Sequence, residues 1–146
     1  MMEIIDLPNH QATLDLGYSL SSSLSSGTIV LLDGELGTGK TTLVQGIGQG
    51  LGIQEAIVSP TFTIICEYFE GRIPLYHLDL YRLNSREIES LHLESYWDGQ
   101  EVIPGIMAIE WSDRLKRLPS NPILHIKLFH TEDFSRKATL AYSKRK

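Results

Sequence analysis

The fold of this chain is decided by the stretch Gly34-Glu35-Leu36-Gly37-Thr38-Gly39-Lys40-Thr41-Thr42. It matches the pattern G-x-x-x-x-G-K-[ST], in which a glycine-rich loop is followed by a lysine and a hydroxyl residue. Residues 28–32 before it are apolar and largely β-branched, and residues 41–51 after it repeat apolar side chains at helical spacing. A strand, this loop and a helix in that order predict a phosphate-binding loop, here called the phosphate loop (residues 34–42).

The residue types of the phosphate loop suit a nucleotide with its magnesium ion. Glycines allow backbone N–H groups to approach phosphate oxygens, and the following helix points its positive dipole end at the same place. We expect Lys40 at the β- and γ-phosphates and the Thr41 hydroxyl at Mg²⁺. The loop residues predicted to bind the nucleotide are Gly34, Gly37, Thr38, Gly39, Lys40, Thr41 and Thr42. The alternative is an ordinary glycine-rich turn, which the lysine and threonine after the last glycine disfavour.

Length and composition restrict the class of protein. The 146 residues fit a single domain with a full hydrophobic core. With 13 basic and 18 acidic residues, the formal net charge of −5 argues against a broad basic face for nucleic acid. One cysteine, Cys66, excludes an internal disulfide. No apolar run approaches the ~20 residues that span a bilayer, and no leader-like segment opens the chain, so we expect a cytoplasmic protein without a membrane contact.

Two threonines after the predicted helix are candidates for sensing the nucleotide. Thr61 and Thr63 follow Pro60, which extends the backbone before it, so their hydroxyls project at every second position. In nucleotide-dependent switches, the segment at this place responds to the γ-phosphate. The alternative is an ordinary strand entry with threonines chosen for β propensity, and the sequence leaves both open.

Two carboxylates compete for the metal ion. His77 and Asp79 share one face of a predicted strand, either as a buried structural pair or facing the phosphate loop. In the second case Asp79 would hold Mg²⁺, position water or fix a switch. Glu110 ends an apolar run, like the acidic residue at a strand end that binds Mg²⁺. We prefer Glu110 as the metal ligand, because its strand lacks alternation, and we name Lys40, Asp79 and Glu110 as catalytic candidates.

The remaining patterns predict one α/β domain over residues 1–146, with a mixed central sheet flanked by helices. Antiparallel hairpins are expected near residues 61–81 and 123–142. A first helix is expected after the cap residue Asn9, with Tyr18 on its buried side. Glycines at 46, 48 and 50 in the second helix indicate either a close contact with the sheet or an early helix end.

Together these motifs resemble the TsaE family, a group of small bacterial P-loop ATPases. The family pattern is carried by the phosphate loop, by Ser59-Pro60-Thr61-Phe62, by His77-Leu78-Asp79-Leu80-Tyr81-Arg82-Leu83 and by Ile109-Glu110-Trp111. The resemblance implies ATP hydrolysis that supports a TsaB–TsaD complex in threonylcarbamoyl modification of adenosine 37 in tRNAs that read ANN codons. tRNA itself would be contacted only indirectly.

The resemblance also implies roles for individual residues. Thr41 and Glu110 would ligate Mg²⁺, and Asn9 and Arg136 would flank the base of ATP. The candidate switch or partner-contact residues are Thr61, Thr63, His77, Tyr81, Arg82 and Trp111.

Other nucleotide-binding classes remain as alternatives or are excluded. A GTPase would carry Asn-Lys-x-Asp to recognise guanine, and that string does not occur. A small metabolite kinase would need lid arginines and an acceptor pocket, and no arginine-rich lid is evident. A nucleotide-gated binding module with negligible hydrolysis is the third class.

Overall fold

The computed structural model describes residues 2–60, 64–98, 101–133 and 135–143. Its strands are β1 (Met2–Leu7), β2 (Ile29–Asp33), β3 (Ile65–Tyr68), β4 (Leu75–Asp79), β5 (Ile106–Glu110), β6 (Ile123–His130) and β7 (Arg136–Ser143). Within the described residues they form a seven-stranded sheet in the order β1-β7-β6-β2-β5-β4-β3. Strands β6, β2, β5 and β4 are parallel, while β1 and β7 at one edge and β3 at the other are antiparallel to their neighbours. The predicted mixed sheet and both hairpins are therefore confirmed.

Helices cover the two faces of the sheet. They are α1 (His10–Ser21), α2 (Lys40–Leu51), α3 (Ser85–Ser90), α4 (Glu94–Trp97) and a 3₁₀ helix (Ser112–Arg114). Apolar residues of α1 and α2 pack with alternate residues of the sheet, such as Leu32 and Ala108. The intervening sheet residues, such as Leu31 and Ile109, pack with residues of α3, α4 and the 3₁₀ segment. We call these the α1–α2 face and the α3–α4 face. Among the described residues, no helix is long and apolar enough to cross a bilayer.

Local sequence signals explain where the helices begin and end. Asn9 caps α1 by accepting a hydrogen bond from the Ala12 N–H at 2.8 Å. Asn84 and Glu87 form a capping box at the start of α3. Helix α2 starts at Lys40 within the phosphate loop and is followed by its cap residue Gly52, whose φ of +93° is a left-handed conformation suited to glycine.

Gly46 and Gly50 of α2 serve a contact with α1 rather than the predicted contact with the sheet, and Gly48 faces the side chain of Ile57. A β-carbon at Gly46 would collide with the Leu14 carbonyl of α1, and one at Gly17 would collide with the Leu43 carbonyl of α2. The helix does not end early, because it continues to Leu51. The close approach turns Gly17 inward and leaves Tyr18 58% exposed, so the prediction that Tyr18 is buried was wrong.

Candidate active site

A cavity of about 310 Å³ opens where the parallel strands β2, β5 and β4 end. This edge is where ligands bind in open α/β sheets. The side chains and loop residues around it are His10, Leu36, Gly37, Gly39, Lys40, Thr41, Thr42, Ser59, Asp79, Tyr81, Glu110, Trp111 and Arg136. The cavity therefore brings together residues from both chain ends, the phosphate loop and the two competing carboxylates.

The phosphate loop has the backbone conformation that its glycines permit. Gly37 and Gly39 have φ values of +80° and +104°, which side-chain-bearing residues adopt only with strain. A β-carbon at Gly39 would lie 3.3 Å from Nη1 of Arg136, a tight contact with that side chain. Thr38 is buried and its hydroxyl donates to the Glu35 carbonyl at 2.7 Å. Gly34 and Thr38 line a separate cavity of about 440 Å³ beside Phe129.

Lys40 is a buried residue of the phosphate loop. Its Nζ donates to the carbonyls of Gly34 at 2.5 Å and Glu35 at 2.9 Å, and lies 4.5 Å from the centre of the Trp111 ring. Burial lowers the pKa of Lys40, while the charge of Glu110 acts in the opposite direction. An ammonium group held by neutral carbonyls is poised to accept a stronger, anionic partner such as a phosphate.

Thr41, Glu110 and His77 form one hydrogen-bonded chain. The Thr41 hydroxyl donates to Oε2 of Glu110 at 2.8 Å, although 69 residues separate them in the sequence. Nε2 of His77 lies 2.6 Å from the same oxygen. His77 is fully buried and Glu110 is 3% exposed. The predicted metal ligands are thus adjacent, and the histidine lies behind the carboxylate rather than at the surface.

Asp79 borders the same cavity from the neighbouring strand. It is paired with Glu110 across β4 and β5, and its Oδ1 accepts from the Tyr81 N–H at 3.0 Å. The Ser59 hydroxyl lies 3.4 Å from Oδ2, which is long for a hydrogen bond. Burial is the main cause that raises the pKa of Asp79, and the negative charge of Glu110 adds to it. A carboxyl with a raised pKa takes up a proton more readily than an exposed one.

An aromatic pair forms one wall of the cavity. The rings of Tyr81 and Trp111 lie 4.8 Å apart, and Trp111 adopts a left-handed backbone with φ of +60°. Arg114 donates to the Leu83 carbonyl at 3.0 Å and lies 5.9 Å from the Tyr81 ring. Arg82 is exposed beside the pair.

Of the other predicted site residues, some line the cavity and others do not. Arg136 lines the cavity beside Gly39, and its role beside the base of ATP stays a prediction. The Asn9 side chain is used as a helix cap, and its neighbour His10 lines the cavity instead. Thr61 and Thr63 lie outside the described residues, so their proposed sensing role stays a prediction.

The sequence did not predict a second carboxylate with a hydroxyl and a histidine as partners, Asp33, which directly precedes the phosphate loop. Oδ2 of Asp33 lies 2.7 Å from the Ser112 hydroxyl and 2.7 Å from Nε2 of His125, and Oδ1 lies 3.2 Å from the Asp113 N–H. Burial acts to raise the pKa of Asp33, but the hydrogen bonds from His125, Ser112 and Asp113 outweigh it and lower that pKa below 3.8. Strand alternation could have placed Asp33 on the α3–α4 face, but nothing local indicates its distant partners.

The residues around the cavity fit a nucleoside triphosphate and a hard cation. Gly39 leaves a cradle that a β-carbon would fill, and Lys40 supplies a buried positive charge beside it. A hydroxyl and carboxylates are the oxygen donors that Mg²⁺ prefers, and Mg²⁺ commonly shares them with substrate phosphates. Thr41 and Glu110 would hold the metal, with Asp79 close by.

Comparisons with known proteins show which family this chain resembles. A family model described as threonylcarbamoyl adenosine biosynthesis protein TsaE matches residues 7–138. The tRNA threonylcarbamoyladenosine biosynthesis protein TsaE of Nostoc sp. (strain PCC 7120 / SAG 25.82 / UTEX 2576) is 56% identical over 139 residues, covering 95% of this chain and 85% of that protein. The protein of the same name from Bacillus subtilis (strain 168) is 37% identical over 131 residues, covering 90% of this chain and 80% of that one. The crystal structure of Bacillus subtilis YdiB superposes with a TM-score of 0.81 at 31% identity, covering 96% of this chain and 84% of YdiB.

Proposed function

This chain belongs to the TsaE family of tRNA threonylcarbamoyladenosine biosynthesis, and from that premise we propose that it binds Mg-ATP and hydrolyses it. The observation that carries the proposal is the 2.8 Å hydrogen bond between Thr41 and Glu110. It joins the hydroxyl at the end of a phosphate loop to a carboxylate at the end of a neighbouring strand, which are the two protein groups that a nucleotide-bound Mg²⁺ requires.

The proposed reaction assigns one task to each residue. Loop N–H groups and the Lys40 ammonium bind the phosphates, and Thr41 and Glu110 hold Mg²⁺. Mg²⁺ held by these two residues would supply positive charge that stabilises the charge on the phosphates. Asp79 orients the attacking water, whose oxygen bonds to the γ-phosphorus while the bond to the bridging oxygen of ADP breaks. The raised pKa of Asp79 suits a group that receives the proton of that water.

We further propose that ATP controls docking on a TsaB–TsaD complex in the cytoplasm, and that hydrolysis is slow until docking occurs. Two exposed apolar side chains lie at the cavity: Leu36 is 65% exposed and Tyr81 39%. Both side chains line the cavity, so a partner that covered them would contact the nucleotide. A ligand shifts a docking equilibrium by its differential affinity for the two states, and ~1.4 kcal/mol changes partner affinity tenfold.

Calorimetry with a matched lysine control tests the binding site. Lys40→Ala should weaken Mg-ATP binding by at least about tenfold, since a charge-assisted bond to phosphate contributes roughly 1.5–3 kcal/mol. Lys127→Ala removes an exposed lysine from β6 and should leave ATP affinity unchanged. Equal ATP affinity of Lys40→Ala and the unmutated protein would refute the phosphate site.

Partner binding is tested separately from hydrolysis. The affinity for TsaB–TsaD should differ between ATP and ADP, and a slowly hydrolysed ATP analogue should behave like ATP. Equal affinity with all three nucleotides would refute nucleotide-controlled docking. Single-turnover hydrolysis with and without TsaB–TsaD then separates a slow enzyme from a binding module that does not hydrolyse ATP.

A further inference from the structure

We propose that His77 is a positioning residue that fixes the Glu110 carboxylate for the metal ion, an inference that rests on the proposed function. Nε2 of His77 lies 2.6 Å from Oε2 of Glu110. The same oxygen accepts the hydroxyl proton of Thr41. We assign Nε2 of His77 as the donor in this contact, because Oε2 of Glu110 acts as an acceptor toward Thr41 as well.

The surroundings of His77 direct its hydrogen bonding to Glu110. The side chain is fully buried in β4, between Cys66 of β3 and Ala108 of β5 in the strand register. Among the described residues, Nδ1 of His77 has no hydrogen-bond partner. An imidazole is polar and is expensive to bury without a hydrogen-bond partner, so a leucine would serve better for packing alone. The hydrogen bond to Glu110 offsets the cost of burying the imidazole.

Two donors fix Glu110 from different elements. Thr41 approaches Oε2 from the start of α2, and His77 approaches it from β4. With both bonds on one oxygen, the carboxylate cannot rotate without breaking them. Thr41 must also offer its lone pairs to the metal, whereas His77 has no such second task. His77 therefore holds the carboxylate in the same place before and after metal binding, as partners of metal ligands generally do.

Three substitutions separate the donor from the shape of the histidine. His77→Asn and His77→Leu remove the N–H at the Nε2 position, while His77→Gln can return an amide N–H to it. ATP affinity is measured by calorimetry with Mg²⁺ and with EDTA. The ratio of ATP affinity in Mg²⁺ to ATP affinity in EDTA should fall by about 10- to 100-fold in His77→Asn and His77→Leu. In His77→Gln this ratio should return most of the way to that of the unmutated protein. ATP affinity in EDTA should equal that of the unmutated protein for all three.

His125→Asn is the matched control. It removes the histidine that contacts the other carboxylate, Asp33, on the opposite face of the sheet. We expect its gain in ATP affinity with Mg²⁺ to be unchanged. An equal loss in His125→Asn and His77→Asn would overturn the inference, as would wild-type behaviour of His77→Asn and His77→Leu. If the His77 variants lost as much ATP affinity in EDTA as in Mg²⁺, the role of His77 would be merely structural, which would also overturn the inference.

A measurement on the unmutated protein decides the matter if the variants fail to fold. ¹⁵N NMR of the imidazole should show the proton on Nε2, and the Nε2 signal should shift when Mg²⁺ is added to the ATP-bound protein. A proton on Nδ1 alone, or no shift with Mg²⁺, would refute the positioning role. If the unmutated protein shows no Mg²⁺-dependent ATP binding at all, the proposed function fails and this inference fails with it.

Discussion

Two carboxylates at the ends of adjacent strands have the same kinds of partners and different surroundings. Glu110 at the end of β5 accepts from the hydroxyl of Thr41 and contacts Nε2 of His77. Asp33 at the end of β2 accepts from the hydroxyl of Ser112 and contacts Nε2 of His125. The His77 and Glu110 side chains are 0% and 4% exposed, whereas those of His125 and Asp33 are 34% and 17% exposed.

The difference follows from strand alternation. Glu110 points to the α1–α2 face, where the phosphate loop leads into α2, whereas Asp33 points to the α3–α4 face. Hydrogen bonds from Ser112 and from the Asp113 N–H join Asp33 to the 3₁₀ helix that directly follows Trp111. Asp33 itself directly precedes the phosphate loop. A hydroxyl and a histidine around a carboxylate therefore do not by themselves mark a metal site. The face of the sheet decides whether such a carboxylate lines the cavity at the strand ends, as Glu110 does, or a separate cavity, as Asp33 does.

The largest effect should come from Glu110→Gln. Glutamine can place its carbonyl oxygen where Oε2 accepts from Thr41 and His77, so the fold should remain. It removes the negative charge, and we expect single-turnover ATP hydrolysis to fall by about 100-fold or more, the scale seen when one charge-stabilising group is lost. If Asp79→Asn shows this loss while Glu110→Gln hydrolyses ATP normally, the two carboxylates are assigned in the wrong order.

A smaller effect, on stability rather than on hydrolysis, is expected from Asp33→Asn. An amide offers one acceptor oxygen, so at least one of the donors Ser112, His125 and the Asp113 N–H loses its partner. Leaving such a donor unpaired costs about 1–3 kcal/mol of unfolding free energy, which urea denaturation would measure. ATP hydrolysis should stay within a few-fold of the unmutated rate. A 100-fold loss of hydrolysis with unchanged stability would erase the distinction between the two carboxylates.

The pH dependence of stability should show the same cluster more weakly. The pKa of Asp33 is lower in the folded protein than the ordinary 3.8, so the folded state favours its ionised form. This contribution is fully present above pH ~3.8 and is lost as the pH falls through the folded pKa. The difference in unfolding free energy between the unmutated protein and Asp33→Asn should therefore be constant near neutral pH and narrow in acid. A difference that widens as the pH falls below 3.8 would contradict the assigned sign.

Much of this fold could be predicted because its signals are local. The phosphate loop, the alternation of β4 and β6 and the cap at Asn9 depend on neighbours in the sequence, and the structure contains each of them. Membership of the TsaE family, expected from the motifs, is confirmed by the family match over residues 7–138.

Contacts between distant residues could not be predicted in the same way. Asp33 meets Ser112 and His125 across 79 and 92 residues, and one sequence carries no signal for such pairs. Gly46 of α2 packs against Gly17 of α1, a pairing of distant residues that leaves Tyr18 exposed. His10 was missed because the cap residue beside it has the stronger local signal.

The most direct test of the account is Mn²⁺ binding in the presence of ATP, measured by electron paramagnetic resonance. Mn²⁺ accepts the same oxygen ligands as Mg²⁺. We predict a bound Mn²⁺–ATP signal for the unmutated protein, the same signal for Asp33→Asn, and a strongly weakened one for Glu110→Gln. Loss of the signal in Asp33→Asn together with an unchanged signal in Glu110→Gln would contradict the account.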